Sequence, residues 1–117
     1  MQAYLIDPTT KTVSSFNYNG DWQTIAPAIG ADVFDVVTSP EGFSVYVDDE
    51  GLYNSQDFFM WKGMPYPIAG RALVFGPVGP DGETTPIEVP MLEVALKLSF
   101  LDLLQVRRMA AEGMFDE

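Results

Sequence analysis

Residues 32–47 read DVFDVVTSPEGFSVYV, two arms of β-branched and aromatic residues joined through Pro40, Glu41 and Gly42. Such side chains fit a pleated, half-buried surface, and a turn built on proline and glycine reverses the chain between them. The arms therefore form an antiparallel hairpin, expected at the centre of its sheet. The other elements then have to extend a mainly antiparallel sheet and cover its apolar face.

Upstream, AYLI, the turn DPTTK and TVSSFNYNG read as an N-terminal hairpin. Val13, Phe16 and Tyr18 break strict alternation, which predicts a bulge or register change near Ser14 and Ser15. In DWQTIAPAIG, Asp21 is placed to cap, Trp22, Ile25 and Ile29 fall near helical spacing, and Gly30 marks the end. Pro27 keeps this helix short. RALVFG is a further strand, followed by GPVGPDGETTP, a solvent loop without a phosphate-binding glycine pattern.

Beyond Pro90, two patterns compete. Residues 94–101, VALKLSFL, alternate enough for a strand after a one-turn helix. Leu92, Leu96, Ser99, Leu103, Val106 and Ala110 form one helical stripe, with Met91, Val94, Leu98 and Leu101 beside it. The helix is adopted, with a break near Ser99, and its wide apolar band makes it the expected surface of any homodimer. The fold expected is a single α+β domain over residues 1–117. It has a small, mainly antiparallel β-sheet, a short helix near residues 21–29, and a C-terminal helix packed on one face.

A chain of 117 residues buries about two thirds of its unfolded surface, enough for one core. It contains no cysteine and no histidine, which removes disulfides, thiolate nucleophiles, imidazole bases and the usual zinc ligands. No cofactor is expected. No run approaches the length of a membrane span and the N-terminus lacks a leader pattern, so the expectation is a cytoplasmic protein with no membrane partner. The net charge is −11, and residues 1–61 hold nine acids against Lys11 alone. Such a surface repels phosphate backbones and attracts basic proteins. Direct nucleic-acid binding is therefore disfavoured.

Two stretches could carry function. Asp48, Asp49 and Glu50 precede Gly51, but a calcium loop started at Asp48 would need glycine where Tyr53 stands and a carboxylate where Phe59 stands. A surface turn explains the same letters, with Gly51 supplying a permissive backbone, and no metal site is assigned. The second stretch, NSQDFFMWKGMPYPIAG, gathers Phe58, Phe59, Met60, Trp61, Met64 and Tyr66 around Gly63, Pro65 and Pro67. It reads as a loop whose aromatics either plug the open end of the sheet or form an exposed anchor for a partner. These six residues, with Asp48, Asp49 and Glu50, are the candidate partner-binding set. Asp32 with Asp35, and Asp48 with Glu50, are the carboxylate pairs an enzyme could use, but without a base, thiol or serine elbow a non-enzymatic protein is expected.

IGADVFDVV, FSVYVDDEGL and IAGRALVFG together resemble a family of small proteins of unknown function from bacteriophages, plasmids and bacterial genomes. The matching positions are Gly30, residues 46–51, and Gly70 with Val74 and Gly76. The resemblance implies a mobile-element origin and gives no activity; with the acidic surface and the aromatic cluster, the function expected is an accessory protein that binds a macromolecular partner, including inhibition of a host defence or nucleic-acid-binding protein by an acidic surface. Self-association as a virion or assembly component is the alternative, and a carboxylate or divalent-metal enzyme is the remote one.

Overall fold

The computed structural model describes residues 1–51 and 56–113. β1 (Gln2–Asp7) and β2 (Thr12–Asn17) form the N-terminal hairpin, its turn held by the Thr9 amide donating to Asp7 Oδ1 at 3.0 Å. Their register runs from Gln2↔Asn17 to Asp7↔Thr12 without interruption, so the bulge expected near Ser14 and Ser15 is absent. Val13 and Phe16 simply face opposite sides, each packing against a different core. Alternation fails in this strand because both faces of the sheet are covered.

Asp21 caps a 3₁₀ turn, Trp22–Thr24, by accepting from the Gln23 amide at 3.0 Å. The chain continues as α1 (Ile25–Ile29), which buries Ile25 and Ile29 and stops at Gly30. β3 (Phe34–Thr38) and β4 (Ser44–Asp48) are the hairpin read from residues 32–47. It is not central. The sheet order is β2-β1-β7-β4-β3, with β7 (Ala72–Phe75) in the middle and β3 at an edge. The physical reason is visible in burial: all four residues of β7 are buried, Ala72 and Val74 on one face, Leu73 and Phe75 on the other. A strand covered on both faces has to be a continuous apolar run, whereas β3 carries Asp35 and an exposed Val36.

α1 covers one face of this sheet, over a row of rings in which Tyr18, Phe75, Tyr46 and Phe34 follow one another with centroids 5.2–5.5 Å apart. The other face meets a second, three-stranded sheet, β6-β5-β8, made of β5 (Asp57–Trp61), β6 (Ile68–Ala69) and β8 (Leu98–Asp102). Every pairing in both sheets is antiparallel.

Two expectations are corrected here. The aromatic segment is not all loop, because the proline and glycine breakers begin only at Gly63 and the preceding FFMW run pairs as β5. The C-terminal stretch is not one helix but α2 (Met91–Ala95), then β8, then α3 (Leu103–Ala111), which packs on β8 and β5. β5 supplies the reason, since its second edge needs a partner and the alternating residues 98–102 provide it. Asp102 restarts the helix through a capping box: its Oδ1 accepts from the Gln105 amide, and Gln105 Oε1 accepts from the Asp102 amide, both at 2.8 Å.

Glu41, in the β3–β4 turn, joins the two layers. Its Oε1 accepts from the Trp61 indole N–H at 3.0 Å and its Oε2 pairs with Lys97 Nζ at 3.0 Å. Burial pushes its carboxyl up, but the hydrogen bonds from Lys97, then its own amide, Ser39 and Trp61, outweigh that and hold it below its ordinary value of 4.5. A lowered folded value means the contribution is fully present above the ordinary value and is lost as pH falls through the lowered one. The advantage of wild type over Glu41→Gln in thermal melts is thus expected to be constant above pH 5 and to shrink below about pH 4. Glu41→Ala should cost about 1–3 kcal/mol, because it leaves the buried indole N–H without an acceptor.

Candidate functional site: an acidic groove beside the β3 edge

Where the two sheets diverge, a groove of about 460 Å³ opens between β3–β4 on one side and β6 on the other, with α3 at its far wall. Its apolar lining comes from Val37, Val47, Phe58, Pro67, Ile68 and Val106, and Tyr66 stands at the mouth, 57% exposed. Asp35, Asp48 and Asp49 border it, and no lysine or arginine is among the lining residues.

The sequence builds this groove from three local choices. In β3 the period of two sends Asp35 and Val37 to the side of the second sheet, with Phe34 and Val36 on the α1 side. After β4 the chain turns, Asp48 Oδ1 accepting from the Glu50 amide at 2.9 Å, which places Asp49 at the rim. Gly51 then passes against β6 so closely that a Cβ there would lie 2.9 Å from the Ala69 carbonyl oxygen. Its φ is not positive, so the glycine serves close approach rather than the permissive turn expected from the sequence.

The candidate partner-binding residues are divided by this arrangement. Phe58, Tyr66, Asp48 and Asp49 border the groove. Phe59 and Trp61 are corrected: both are fully buried against Val45, Val74 and Val94 and offer nothing to a partner in this fold. They face inward because β5 turns alternate residues toward the five-stranded sheet, and Phe58, on the opposite side of β5, lies beneath the groove with only 1% of its surface exposed. Met60 is half-buried, Met64 packs partly against the inner core, and Glu50 is exposed beyond the turn. The carboxylate pair Asp32 and Asp35 is split between two clefts, Asp35 at this groove and Asp32 in another between α1 and β3. Among the described residues, no group of three or more acids is placed to hold a metal ion.

Val37 was in no candidate set, and Asp35 was a candidate only as a carboxylate beside Asp32, not as a partner-binding residue. The signal was present, since Asp35 is a lone charge inside the apolar run VFDVV, but a hairpin placed at the sheet centre gave it no surface to serve. Elsewhere Leu92 on α2, Leu96 at its C-cap and Leu104 on α3 are also exposed. No described helix is long and apolar enough to cross a membrane.

No curated protein and no solved structure matches the chain. One family model does, over residues 1–97, which takes in the five-stranded sheet, β5, β6 and α2 and stops one residue before β8. That span, most of the chain, carries the strands that frame the groove, and by it the protein belongs to the DUF3846 family, a domain of unknown function.

Proposed function

We propose that the protein is a non-enzymatic binding protein whose groove takes a basic segment of another protein. The observation that carries this reading is the lining itself: an apolar floor of Val37, Pro67 and Ile68 edged by Asp35, Asp48 and Asp49 with no base among them. An apolar floor supplies the contact area of an interface core, and the acidic edge supplies steering and register. The net charge of −11 adds long-range attraction for a basic partner and repulsion for nucleic acid. The resemblance to phage and plasmid proteins supports a host cytoplasmic protein as that partner, a defence or nucleic-acid-binding protein whose basic surface the groove would occupy. Self-association through the exposed leucines of α2, its C-cap and α3 is the second reading, favoured by Leu92 and the C-cap Leu96 one helical turn apart.

The test places a photo-crosslinking amino acid at Tyr66, in cells, in wild type and in the Asp35→Asn, Asp49→Asn variant. Crosslinked partners are expected to be basic proteins, attached through basic segments and lost at high salt. The double variant should bind the purified partner about twofold to thirtyfold more weakly, at about 0.2–1 kcal/mol for each exposed pair. Crosslinks only to a second copy of the chain would favour self-association, and salt-independent capture of neutral proteins would sink the acidic-groove reading.

A further inference from the structure

We infer that the partner segment is held as an added β-strand along the free edge of β3, with basic residues alternating with apolar ones. This rests on the groove reading above and states the binding mode and the pattern of the ligand.

β3 ends the five-stranded sheet. The Asp49 amide donates to the Val33 carbonyl at 3.0 Å and the Ser39 amide to the Phe43 carbonyl at 2.9 Å, on either side of the register Phe34↔Asp48 to Thr38↔Ser44. In an antiparallel ladder hydrogen-bonded pairs alternate, so the odd-numbered residues bond to β4. Phe34, Val36 and Thr38 therefore direct their N–H and C=O groups away from the sheet. Val36 shows this directly, for its amide donates at 2.8 Å to Asp35 Oδ1 and its side chain is 41% exposed. Proteins usually blunt such an edge with lysine, proline or a bulge. β3 has none of the three, and among the described residues Asp35 is its single cover.

Apolar clefts flank this edge on both faces. One is the groove. The other, about 530 Å³, lies between α1 and β3 and is lined by Trp22, Ala26, Val33 and Phe34, with Trp22 63% and Val33 52% exposed. Successive side chains of a strand point to opposite faces. A segment paired with β3 thus sends one set of side chains toward Asp35 and Asp49 and the alternate set toward Trp22 and Val33. Backbone bonds then give affinity and the two clefts give specificity. No lysine or arginine lines either cleft, while Asp32, Asp35, Asp48 and Asp49 do, so the occupant is cationic. On the groove side lysine or arginine fits best, laying its methylenes on the apolar floor and its charge at the rim. On the other side an apolar residue covers Trp22.

Asp35 makes the charge a condition of pairing. A cationic side chain draws the carboxylate away from the Val36 amide and frees that donor for the incoming strand. A neutral segment gains no ion pair in exchange, so Asp35 guards the edge against indiscriminate strand addition. A second copy is disfavoured as occupant because it would bring two chains of charge −11, each with its Asp35, edge to edge.

The probe is a short peptide alternating Lys and Val, titrated into the full chain while the amides of Phe34, Val36 and Thr38 and the emission of exposed Trp22 are followed. Binding is expected to protect those three amides from exchange and to shift Trp22 emission to the blue. Val36→Pro deletes an outward amide without touching the β4 ladder, which an edge strand tolerates, and should weaken binding about tenfold or more. The same peptide N-methylated on alternate amides should lose binding equally, a check that leaves the protein unaltered. The inference is overturned if the Lys-Val peptide does not bind, if a Glu-Val peptide binds as well, or if both Val36→Pro and N-methylation leave affinity unchanged. If those two change nothing while Asp35→Asn with Asp49→Asn weakens binding, strand addition falls and the groove reading stands. A dimer abolished by Val36→Pro would assign the edge to a second copy and overturn the inference.

Discussion

Trp61→Ala is expected to remove about 3–5 kcal/mol of stability, the range for deleting a large aromatic side chain from a core. Trp61 has no exposed surface and packs in the layer between the two sheets, with the Phe43 ring at 6.3 Å, tilted 69° to it. Its removal leaves a void bordered by both sheets and takes the indole donor from Glu41, which keeps Lys97. Domains are stable by only about 5–15 kcal/mol, so the variant should fold with a much lower urea midpoint. The measurement is urea unfolding at unchanged m; a loss below about 1 kcal/mol would show that the indole is not packed. A consequence follows for binding work. Loss of a partner in Trp61→Ala or Phe59→Ala would report unfolding, so variants that test the groove belong at Asp35, Val36, Asp49 and Tyr66, where exposed groups can change without opening the core.

Gly76→Ala is the second large effect, expected near the upper end of the about 1–3 kcal/mol that overpacking costs. Gly76 follows β7 directly, donating its amide to the Thr85 carbonyl at 3.0 Å and accepting from the Ser44 amide at 3.3 Å. A Cβ there would overlap the carbonyl oxygen of Pro86 and lie 2.7 Å from Thr85 Oγ1. Two of these obstacles are backbone or bonded to it, since Thr85 Oγ1 donates to the Pro77 carbonyl, so relief requires moving the loop. That loop is anchored: Ile87 is buried and its amide donates to the Gln2 carbonyl at 2.9 Å, and the Val89 carbonyl accepts from Tyr4 Oη at 2.6 Å. Residues 77–86 are largely solvent-facing, as expected of this loop, and it is the segment after them, Ile87 to Val89, that packs under β1. Thermal melts should show the loss, and faster exchange of the Ile87 amide should locate it. An unchanged melting temperature would mean that the loop yields.

The legible parts of the fold are those set by neighbours in sequence. Both hairpins, the Asp21 cap, the stop at Gly30 and the turn after Val47 depend on local propensity and local hydrogen bonds. The Asp102 and Gln105 capping box was equally local, and reading it would have ended β8 at the right residue. It was outweighed by two apolar stripes at helical spacing, which a strand followed by a helix imitates when both are largely apolar. In the candidate site, Asp48, Asp49, Phe58 and Tyr66 could be named as partner-facing from the sequence alone, whereas Asp35 was named only as a carboxylate beside Asp32 and Val37 and Ile68 not at all, because each matters here only through what lies across from it.

From the sequence alone came the class of fold, the runs able to form strands, the acidic surface, and the absence of thiol and imidazole chemistry. These depend on side-chain identity and on contacts a few residues long. Tertiary structure decided which strand is central, which aromatics are core, and where an edge is left open. β7 is central because both of its faces are covered, Phe59 and Trp61 are core because β5 found β8 as a partner, and β3 is free because no later segment pairs with it among the described residues. Strand propensity is blind to partners far along the chain, and the groove exists only at the place where those distant pairings leave two sheet edges facing one another.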